Sequence, residues 1–515
     1  MQIVWLKKDL RDADHAPLYE ASQSGPYLVL YLFEPAIWAS PDHSSRHFDY
    51  LCSSLVDLRR RLAQKNIPLI TKVGDAVAVF DTIHKYQPIT RILAHEECGN
   101  HVSYQRDIAV RKWCHTHNVD FAEYAQFGFE RGPTSRKGWA NRWHQKMTAP
   151  LIPAPSPKYA MTDESLPFAS DPIPEAKRFH LPQLDNSQIQ STGRDNALKD
   201  MEDFLYHRGR TYRRDLSSPL TSQTSGSRLS AYLSHGALSM KELYQHTILA
   251  ANYAKEQGKR DGFATSLRSF SSRLHWHCHF IQKLEDEPAI EYRNFHPAYD
   301  GLRDDNPQSE ALQRWQAGMT GFPMIDACMR YVMATGWLNF RMRAMLVSFA
   351  SYHLMLDWRL PARHLARHFT DYEPGIHYSQ FQMQSGTTGI NSLRIYNPIK
   401  QSQDQDPDGI FIRQWCPELA DIPTHMIHTP WLLPARIGNY PLPIVDEVKA
   451  RRHASTLFHN LRKDITHRAK ASQIAEKHGS RKSGLPQNAN KPRGAKGRHS
   501  GAPNPLMPTQ GELPL

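Results

Sequence analysis

Long apolar runs are missing from this sequence of 515 residues. No run approaches the roughly 18 apolar residues of a membrane-spanning helix, so no membrane is expected among its partners. The chain begins with a strand-like segment, Ile3 to Leu6, where a secretory signal would have a basic region and a longer apolar stretch. These two observations predict a cytoplasmic protein, associated with the nucleoid if the source is bacterial.

Paired cysteines are also missing. Six cysteines are scattered along the chain without any C-x-x-C pair, which argues against a disulfide framework and a zinc ribbon. Only three of them lie in the second half, one fewer than an iron–sulfur cluster usually requires. Residues 275–279 form an HWHCH run, and His and Cys are common zinc ligands. In a helical pattern, however, alternate residues point apart, so buried structural roles are expected. No metal is predicted.

Charge is unevenly distributed. Residues 451–515 carry 13 Lys plus Arg against 3 Asp plus Glu, a net +10, and the whole chain carries +12, so residues 1–450 contribute only +2. A nucleic-acid surface on the body must therefore be a local patch, whereas the basic end offers a general attraction to phosphates.

The first 130 residues alternate short apolar runs with helical patterns. Strands are predicted at Ile3 to Leu6, Tyr27 to Phe33, Leu69 to Val73, Ile92 to Ala94 and around Phe121. A helix between them places four leucines, at 51, 55, 58 and 62, on one face. This alternation predicts a doubly wound parallel α/β domain. Lys7-Lys8-Asp9 follows the first strand, so the glycine-rich dinucleotide fingerprint is absent.

The remainder divides into three parts. Residues 131–195 are rich in Pro, Ser and Asp and predict a linker. Residues 196–478 show helical spacing and predict an all-α domain, interrupted by loops that include an irregular stretch from Thr370 to Arg394. Residues 479–515 contain Gly, Pro, Asn and basic residues with little to bury, and predict a basic disordered tail.

Three polar stretches in the second half carry the chemistry. Arginines and Asn339 lie among apolar residues between Trp315 and Trp358, a pattern typical of a buried ion-pair network as well as of a ligand site. Asp371, Glu373 and His377 follow in the irregular stretch, where they suit either a polar ring system or a capped surface loop. Upstream, a Ser/Thr/Gly loop enters a helix near Ser227, as an anion site or a plain helix cap would.

The order and the residues of these stretches resemble the motifs of the photolyase and cryptochrome family. WLKKDLRDAD is similar to its opening motif, GSRLSAYLSHGALS to its phosphate-binding stretch, and WQAGMTGFPMIDACMR, RIYNPIKQ and IRQWCPEL to its later motifs. The resemblance covers nearly the whole ordered chain. It implies an N-terminal antenna domain over residues 1–130, a helical catalytic domain that holds FAD in a folded form, and a chain most like a divergent bacterial cyclobutane pyrimidine dimer photolyase.

The resemblance also implies roles for individual residues. Residues implied to hold FAD are Tyr212, Ser227, Arg228, Leu229, Ser230, His277, Asn339, Arg343, Asp371, Glu373 and His377. Residues implied to meet DNA or its lesion are Arg213, Arg214, Arg273, Trp276, Phe340 and Met383. Trp276, Arg341 and His377 are the implied catalytic residues, and Trp358 and Phe381 occupy positions of the electron-transfer chain.

Several of these positions depart from the family pattern. Arg273 replaces the substrate-binding glutamate, and the region around Phe340 lacks the paired histidines of (6–4) enzymes. His377 stands where photolyases usually have Asn, and a protonated histidine there would stabilise the anionic reduced flavin. Of three electron-relaying tryptophans, Trp358 alone is matched, since the other positions hold Phe381 and a residue near Asp305.

The leading hypothesis is a monomeric, light-driven lyase that splits cyclobutane pyrimidine dimers in UV-damaged DNA by electron transfer from excited reduced FAD. The alternative is a cryptochrome-type blue-light sensor without repair activity, favoured by the basic tail and by Arg273. A third reading is a dark flavoprotein that binds single-stranded nucleic acid. A second, antenna chromophore stays open, because Ser103 replaces the family's folate-contacting glutamate.

Overall fold

A computed structural model describes residues 1–132, 136–162, 168–258, 261–434 and 437–479. Most of the predicted basic tail, residues 480–515, lies outside the described residues. Within the described ranges, no helix combines the length and apolar composition needed to cross a membrane.

The N-terminal part is built on a five-stranded parallel sheet in the order β3-β2-β1-β4-β5. Its strands are β1 Gln2–Leu6, β2 Tyr27–Phe33, β3 Leu69–Val73, β4 Arg91–His95 and β5 Asp120–Tyr124. The three central strands are apolar on both faces because helices cover both. These strands confirm the predicted doubly wound α/β fold, and the strand order reverses between β1 and β4.

Five helices surround the sheet. They are α1 Ala16–Ala21, α2 Pro35–Trp38, α3 Ser45–Ala63, α4 Ala76–Tyr86 and α5 His101–Thr116. In α3 the four leucines predicted to share a face, Leu51, Leu55, Leu58 and Leu62, are all buried. That face packs on the sheet. The first turn of α3 contacts the second half of the chain instead.

The second half is helical, as predicted. Its helices are α6 Trp139–Thr148, α7 Arg194–Tyr206, α8 Tyr212–Asp215, α9 Ser222–Ser225, α10 Ser230–Ser234, α11 Met240–Glu256, α12 Phe263–Asp286, α13 Glu310–Gln316, α14 Pro323–Thr335, α15 Phe340–Ser348, α16 Arg359–His368, α17 Pro374–Ser385, α18 Pro398–Gln405, α19 Ile410–Trp415, α20 Glu447–Leu461 and α21 Ile465–His478. The largest apolar core lies among α14, α15, α16 and α19.

Two segments differ from the sequence-based expectation. The predicted linker contains α6, whose Trp139, Trp143 and Met147 are buried against the helical core. The stretch predicted to be too irregular for a helix contains α17, which begins with Pro374 at its first turn and ends at Gly386 in a left-handed conformation. Helix α17 is buried on nearly every side, and this removes the amphipathic periodicity by which helices are recognised.

Helix α17 lies directly against the long helix α12. A Cβ atom at Gly375 would come within 2.7 Å of the Ile281 Cα atom, so only glycine permits this approach. The hydroxyl of Ser379 also donates a hydrogen bond to the Phe280 carbonyl at 3.2 Å. The contact fixes the side chains of α12 relative to those of α17.

Arg46, on α3, joins the two halves of the protein. Its side chain is fully buried and donates to the carbonyl oxygens of Val332, Met333 and His368 in the helical half at 2.7–3.2 Å. The same guanidinium donates to the Asp185 carbonyl at 2.7 Å and to the Asn186 Oδ1 at 3.1 Å. One cation thus satisfies five acceptors from three separate segments.

Replacing Arg46 with methionine is expected to destabilise the protein strongly. The substitution Arg46→Met leaves several buried carbonyls without a donor, at a cost of about 3 kcal/mol or more. Thermal unfolding should show a clearly lower midpoint for this variant. The matched control Arg60→Met changes a half-exposed arginine of the same helix and should leave the midpoint near that of the wild type. Equal midpoints for the two variants would contradict the role given to Arg46.

Candidate functional site

The centre of the site is an ion pair between α15 and the segment that precedes α17. Arg343 Nη2 donates to Asp371 Oδ2 at 2.9 Å, and the guanidinium lies 3.9 Å from the centroid of the Phe369 ring. Burial by itself raises the pKa of Asp371, but the charge of Arg343 and a hydrogen bond from Ser230 lower it overall. Asp371 is therefore a buried, ionised carboxylate in contact with two of the other predicted site residues.

The Ser-rich loop before α10 supplies Ser230 to this centre. Arg228 within the loop adopts a left-handed backbone with φ of 58°, and its guanidinium lies 4.2 Å above the Trp337 ring. Two hydrogen bonds fix the loop backbone: Arg208 donates to the Ser227 carbonyl and Gln190 donates to the Arg228 carbonyl, each at 2.7 Å. Leu229, next in sequence, is buried.

Helix α12 forms a second wall. Burial raises the pKa of the Tyr212 hydroxyl, and the nearby charge of Arg273 partly offsets this rise, so the arginine that replaces the expected glutamate lies next to a predicted cofactor residue. Trp276 is half-buried and stacks on Phe280 of its own helix at 5.7 Å. Arg213, on the neighbouring helix α8, is exposed.

The remaining basic residue of α8 and the histidines of α12 have separate environments. Arg214 is exposed and pairs with Asp215 at 2.7 Å. His275 contacts the Trp139 and Trp143 rings, whereas His277 faces Phe127 at 5.0 Å. The alternate histidines thus have different neighbours, as the helical reading predicted.

Helix α15 forms the third wall. Asn339 directly precedes it, and its side-chain amide donates to the carbonyls of Leu216 and Ser217 at 3.0 and 2.8 Å. Phe340 follows, and 38% of its surface is exposed. Arg341 is buried and donates to Gln401 Oε1 at 3.1 Å. The polar and aromatic residues predicted in this segment therefore point to different sides of one helix.

Helix α17 carries His377 into the interior. Its Nε2 donates to the Ala362 carbonyl at 2.9 Å, which leaves Nδ1 without the proton in the neutral ring. Burial lowers the pKa of His377 to about 4. The ring is therefore neutral near pH 7, because its surroundings disfavour a second proton.

The other predicted residues of α17 differ in exposure. Phe381 is buried with its ring 4.5 Å from His377, and Met383 is half-buried. Trp358 precedes α16, is buried, and donates from Nε1 to Asn294 Oδ1 at 2.7 Å. Among the residues that the structure describes, the Trp358 ring packs near Tyr378, at 6.3 Å between centroids, and not near Phe381.

Several buried polar atoms on these walls have no protein partner. They are Asp371 Oδ1, Asn339 Oδ1, Arg341 Nε, His277 Nδ1 and the side-chain amide of Gln380. Buried polar groups without a partner are costly, and a ligand with several donors and acceptors would satisfy them. The residues present therefore fit a large polar cofactor.

Glu373 lies at the junction of the two domains. It lines a cavity of about 20 Å³, enough for one water molecule, together with Lys8, Glu97, Ile281 and other residues. Burial raises the pKa of Glu373 to about 7. This cavity lies at the carboxyl ends of β1 and β4, where the strand order reverses and doubly wound sheets usually bind a ligand.

An ion-pair network fills the rest of that crevice. Arg106 donates to Glu34, Glu97 and Asp107 at 2.5–2.8 Å and lies 4.7 Å above the Trp5 ring. Lys7 adds a bond to Asp107 at 3.2 Å. The charged residues of this crevice are thus engaged with one another. Ser103 is also internally bonded, to the Asn100 carbonyl.

A compact group formed by Asp9, His15 and His95 has the composition of a metal site. Asp9 Oδ2 lies 2.9 Å from His15 Nε2 and 2.7 Å from His95 Nδ1. His15 Nδ1 accepts from the Leu18 N–H at 3.1 Å, so the proton of a neutral ring must sit on Nε2, toward Asp9. A hydrogen-bonded cluster at the start of α1 accounts for these three residues.

Two residues that contact the predicted site residues, Tyr372 and Asp42, were not predicted from the sequence. Tyr372, between Asp371 and Glu373, donates from its hydroxyl to Asp42 Oδ2 at 2.5 Å. Its ring lies 5.2 Å from the His377 ring. A large aromatic residue between two acidic site residues was the available signal for Tyr372, but nothing local to Asp42 indicates a partner 330 positions away.

The buried histidines predict a loss of stability in mild acid. Burial lowers the pKa of His235, His277 and His377 from 6.5 to about 4, so between these pH values the unfolded chain binds more protons than the folded one. Stability is fully present above about pH 6.5 and decreases as the pH falls, by about 1.4 kcal/mol per pH unit for each histidine. Thermal midpoints measured from pH 7.5 to 5 should fall steadily, and a flat profile would contradict the assigned neutral state.

Comparison with known proteins agrees with both halves of the structure. The profile of the FAD binding domain of DNA photolyase matches residues 270–460, and the DNA photolyase profile matches residues 2–126. Deoxyribodipyrimidine photo-lyase of Escherichia coli is 28% identical, with 90% of this chain and 99% of that protein covered. Cryptochrome DASH of Gloeobacter violaceus is 26% identical, covering 92% and 98%.

Solved structures show the same fold. A bacterial class III photolyase from Agrobacterium tumefaciens superposes with a TM-score of 0.76 at 23% identity, covering 90% of this chain and 98% of that one. The cryptochrome of Synechocystis superposes with a TM-score of 0.75 at 22% identity, covering 88% and 98%. With its parallel α/β domain and its helical FAD-binding domain, the chain belongs to the photolyase and cryptochrome family.

Proposed function

We propose that this protein repairs cyclobutane pyrimidine dimers in DNA in a light-dependent reaction. The observation that carries the proposal is the match over both domains to deoxyribodipyrimidine photo-lyases, 98–100% of whose length is covered in three species. The assembled walls of α12, α15 and α17 support it, because they join a polar cofactor site to half-buried aromatic and apolar residues. UV-damaged DNA is the corresponding partner.

The protein's own residues would hold FAD as follows. Tyr212 and the loop from Ser227 to Ser230 would bind its phosphates and ribitol, with His277 and Asn339 beside them. Arg343, Asp371, Glu373 and His377 would border the ring system. The unpartnered atoms of Asp371, Asn339 and His277 supply hydrogen-bonding capacity for such a ligand. When bound, reduced FAD supplies a light-driven electron that opens the cyclobutane ring.

The charge at the flavin edge would come from one residue. His377 is neutral near pH 7, so it adds no positive charge there. Arg343 carries a permanent charge, although part of it is balanced by Asp371 at 2.9 Å. Stabilisation of a reduced, negatively charged cofactor would therefore depend mainly on Arg343.

A flipped-out lesion would meet the outer parts of the same walls. Trp276 and Met383 are half-buried, so each has an apolar surface available for stacking or contact. Arg273 replaces a carboxylate with a donor, which changes the hydrogen bonds offered to thymine. Arg213 and Arg214 are exposed on α8 and could contact phosphates, and the exposed ring of Phe340 adds a further apolar surface. Arg341, with its unpartnered Nε, would complete the pocket.

A cryptochrome-type sensor is the second candidate. Arg273 in place of the substrate glutamate favours it, and a protein named Cryptochrome-1 from Arabidopsis thaliana is 28% identical over 88% of this chain. Repair by the fully reduced protein separates the two candidates, because a sensor leaves thymine dimers intact in blue light.

The first test concerns Trp276. Fully reduced protein should restore thymine-dimer DNA under blue light, as measured by chromatography of the digested DNA. Trp276→Ala should reduce lesion binding about tenfold, because stacking on a base contributes roughly 1–3 kcal/mol. Tyr86→Ala, which removes an exposed aromatic ring in the α/β domain, is the matched control and should bind as the wild type does. No repair by the wild type would overturn the proposed function.

The second test concerns Arg343. Arg343→Met leaves Asp371 buried without its counter-charge, so the variant should lose most of its FAD during gel filtration. Arg330→Met is the control, because Arg330 forms a comparable ion pair with Glu418 at 2.8 Å in the same domain, away from the site. FAD is measured by absorbance after denaturation. Equal FAD contents in the two variants would show that Arg343 does not hold the cofactor.

A further inference from the structure

The rings around His377 differ in what they can do chemically. Phe369 and Phe381 lie 6.1 and 4.5 Å from the histidine ring, and Tyr372 and Tyr378 lie 5.2 and 5.5 Å from it. Phenylalanine is not readily oxidised, whereas a phenol can lose one electron if its proton leaves at the same time. The two tyrosines are therefore the oxidisable rings in direct contact with His377 among the described residues.

Tyr372 is distinguished by its partner. Its hydroxyl donates to Asp42 Oδ2 at 2.5 Å, and both residues are buried, at 5% and 2% exposure. The Tyr378 hydroxyl lies 3.2 Å from that of Tyr372 and 3.5 Å from the same carboxylate oxygen. A proton acceptor is thus positioned within hydrogen-bond reach of Tyr372, across the interface between the two domains.

Asp42 is held in its ionised form. Burial by itself raises the pKa of Asp42, but His43 at 2.9 Å and the hydrogen bonds from Tyr372 and Asn100 lower it below its ordinary value. The acceptor therefore carries no proton of its own near pH 7. A phenol that has lost an electron is a strong acid, so even a weakly basic carboxylate can take its proton.

We propose that Tyr372 donates the electron that reduces light-excited oxidised FAD in this protein, and that Asp42 accepts its proton. This proposal rests on FAD binding and deepens the proposed function by naming the donor for the first of the two one-electron steps that lead from oxidised to fully reduced FAD. One electron passes from Tyr372 to the flavin past His377. The phenolic O–H bond breaks, an O–H bond forms on Asp42, and Tyr372 becomes a neutral phenoxyl radical.

The radical needs a reductant, and the aromatic neighbours give it a route. Tyr378 lies between Tyr372 and Trp358, with ring centroids 6.4 and 6.3 Å apart. A thiolate in the medium supplies one electron through these rings and is itself oxidised, and Asp42 returns the proton to Tyr372. This ordering assigns Tyr372 to the first step and Trp358 to a later one.

The experiment follows the bound oxidised flavin in anaerobic protein under blue light, with a thiol present. Tyr372→Phe keeps the ring but removes the transferable proton, and it should slow the light-driven loss of oxidised flavin absorbance by about tenfold or more. Tyr440→Phe is the matched control, since Tyr440 is also buried and donates to a carboxylate, Asp326, at 2.7 Å. It should reduce FAD at the wild-type rate.

Two further measurements keep the result independent of folding. Electron paramagnetic resonance of illuminated, rapidly frozen protein should show a phenoxyl radical in the wild type and in Trp358→Phe, but not in Tyr372→Phe. The wild-type rate should be slower in deuterated water, because a proton moves with the electron. A wild-type photoreduction rate in Tyr372→Phe with normal FAD content, or a radical found on tryptophan alone, would overturn the proposal.

The outcome can be separated from that of the repair hypothesis. Protein reduced chemically with dithionite bypasses Tyr372, so Tyr372→Phe treated in this way should repair thymine dimers at the wild-type rate. Absence of repair in all chemically reduced samples would reject the proposed function but leave the photoreduction result standing. Normal repair with unchanged photoreduction in Tyr372→Phe would reject only the role of Tyr372.

Discussion

The functional half of this protein depends on how the segment from His368 to Glu373 is held between the two domains. Helix α3 of the α/β domain fixes its beginning, because Arg46 donates to the His368 carbonyl at 2.8 Å and His47 Nε2 lies 2.9 Å from the Phe369 carbonyl. The side chains of the next residues, Asp371 to Glu373, then contact three different parts of the protein. Asp371 meets Arg343, Tyr372 meets Asp42, and Glu373 lines the junction cavity.

This arrangement makes the α/β domain part of the proposed flavin site. Asp42 comes from the first domain, yet its carboxylate is bonded to two tyrosines that contact His377. Lys8, also from the first domain, lies 6.0 Å from the Tyr372 ring. The crevice at the sheet's switch point is itself occupied by the Arg106 network. The α/β domain thus acts structurally as a support for the helical one.

Much of the architecture could be predicted from the sequence, because short apolar runs and a leucine-lined helix are local patterns. The polar residues of α12 and α15 were also placed near one another through their resemblance to known motifs. Helix α17 was not predicted, since burial on nearly every side removes its periodicity, although Pro374 and Gly386 mark its ends. The neutral state of His377 depends on burial and on the Ala362 carbonyl, neither of which is visible in sequence.

The position of Arg46 has a consequence for synthesis on the ribosome. Helix α3 is complete early, but its buried guanidinium binds a carbonyl 322 residues further along the chain. At about 5–20 residues per second, that carbonyl emerges some tens of seconds later. During this interval the α/β domain exposes the Arg46 guanidinium without the carbonyl partners of the helical half, and the Asp42 carboxylate has only His43 and Asn100 as partners. These charged groups keep the future interface of the nascent domain polar and hydrated. The two domains can dock fully only after His368 has been synthesised.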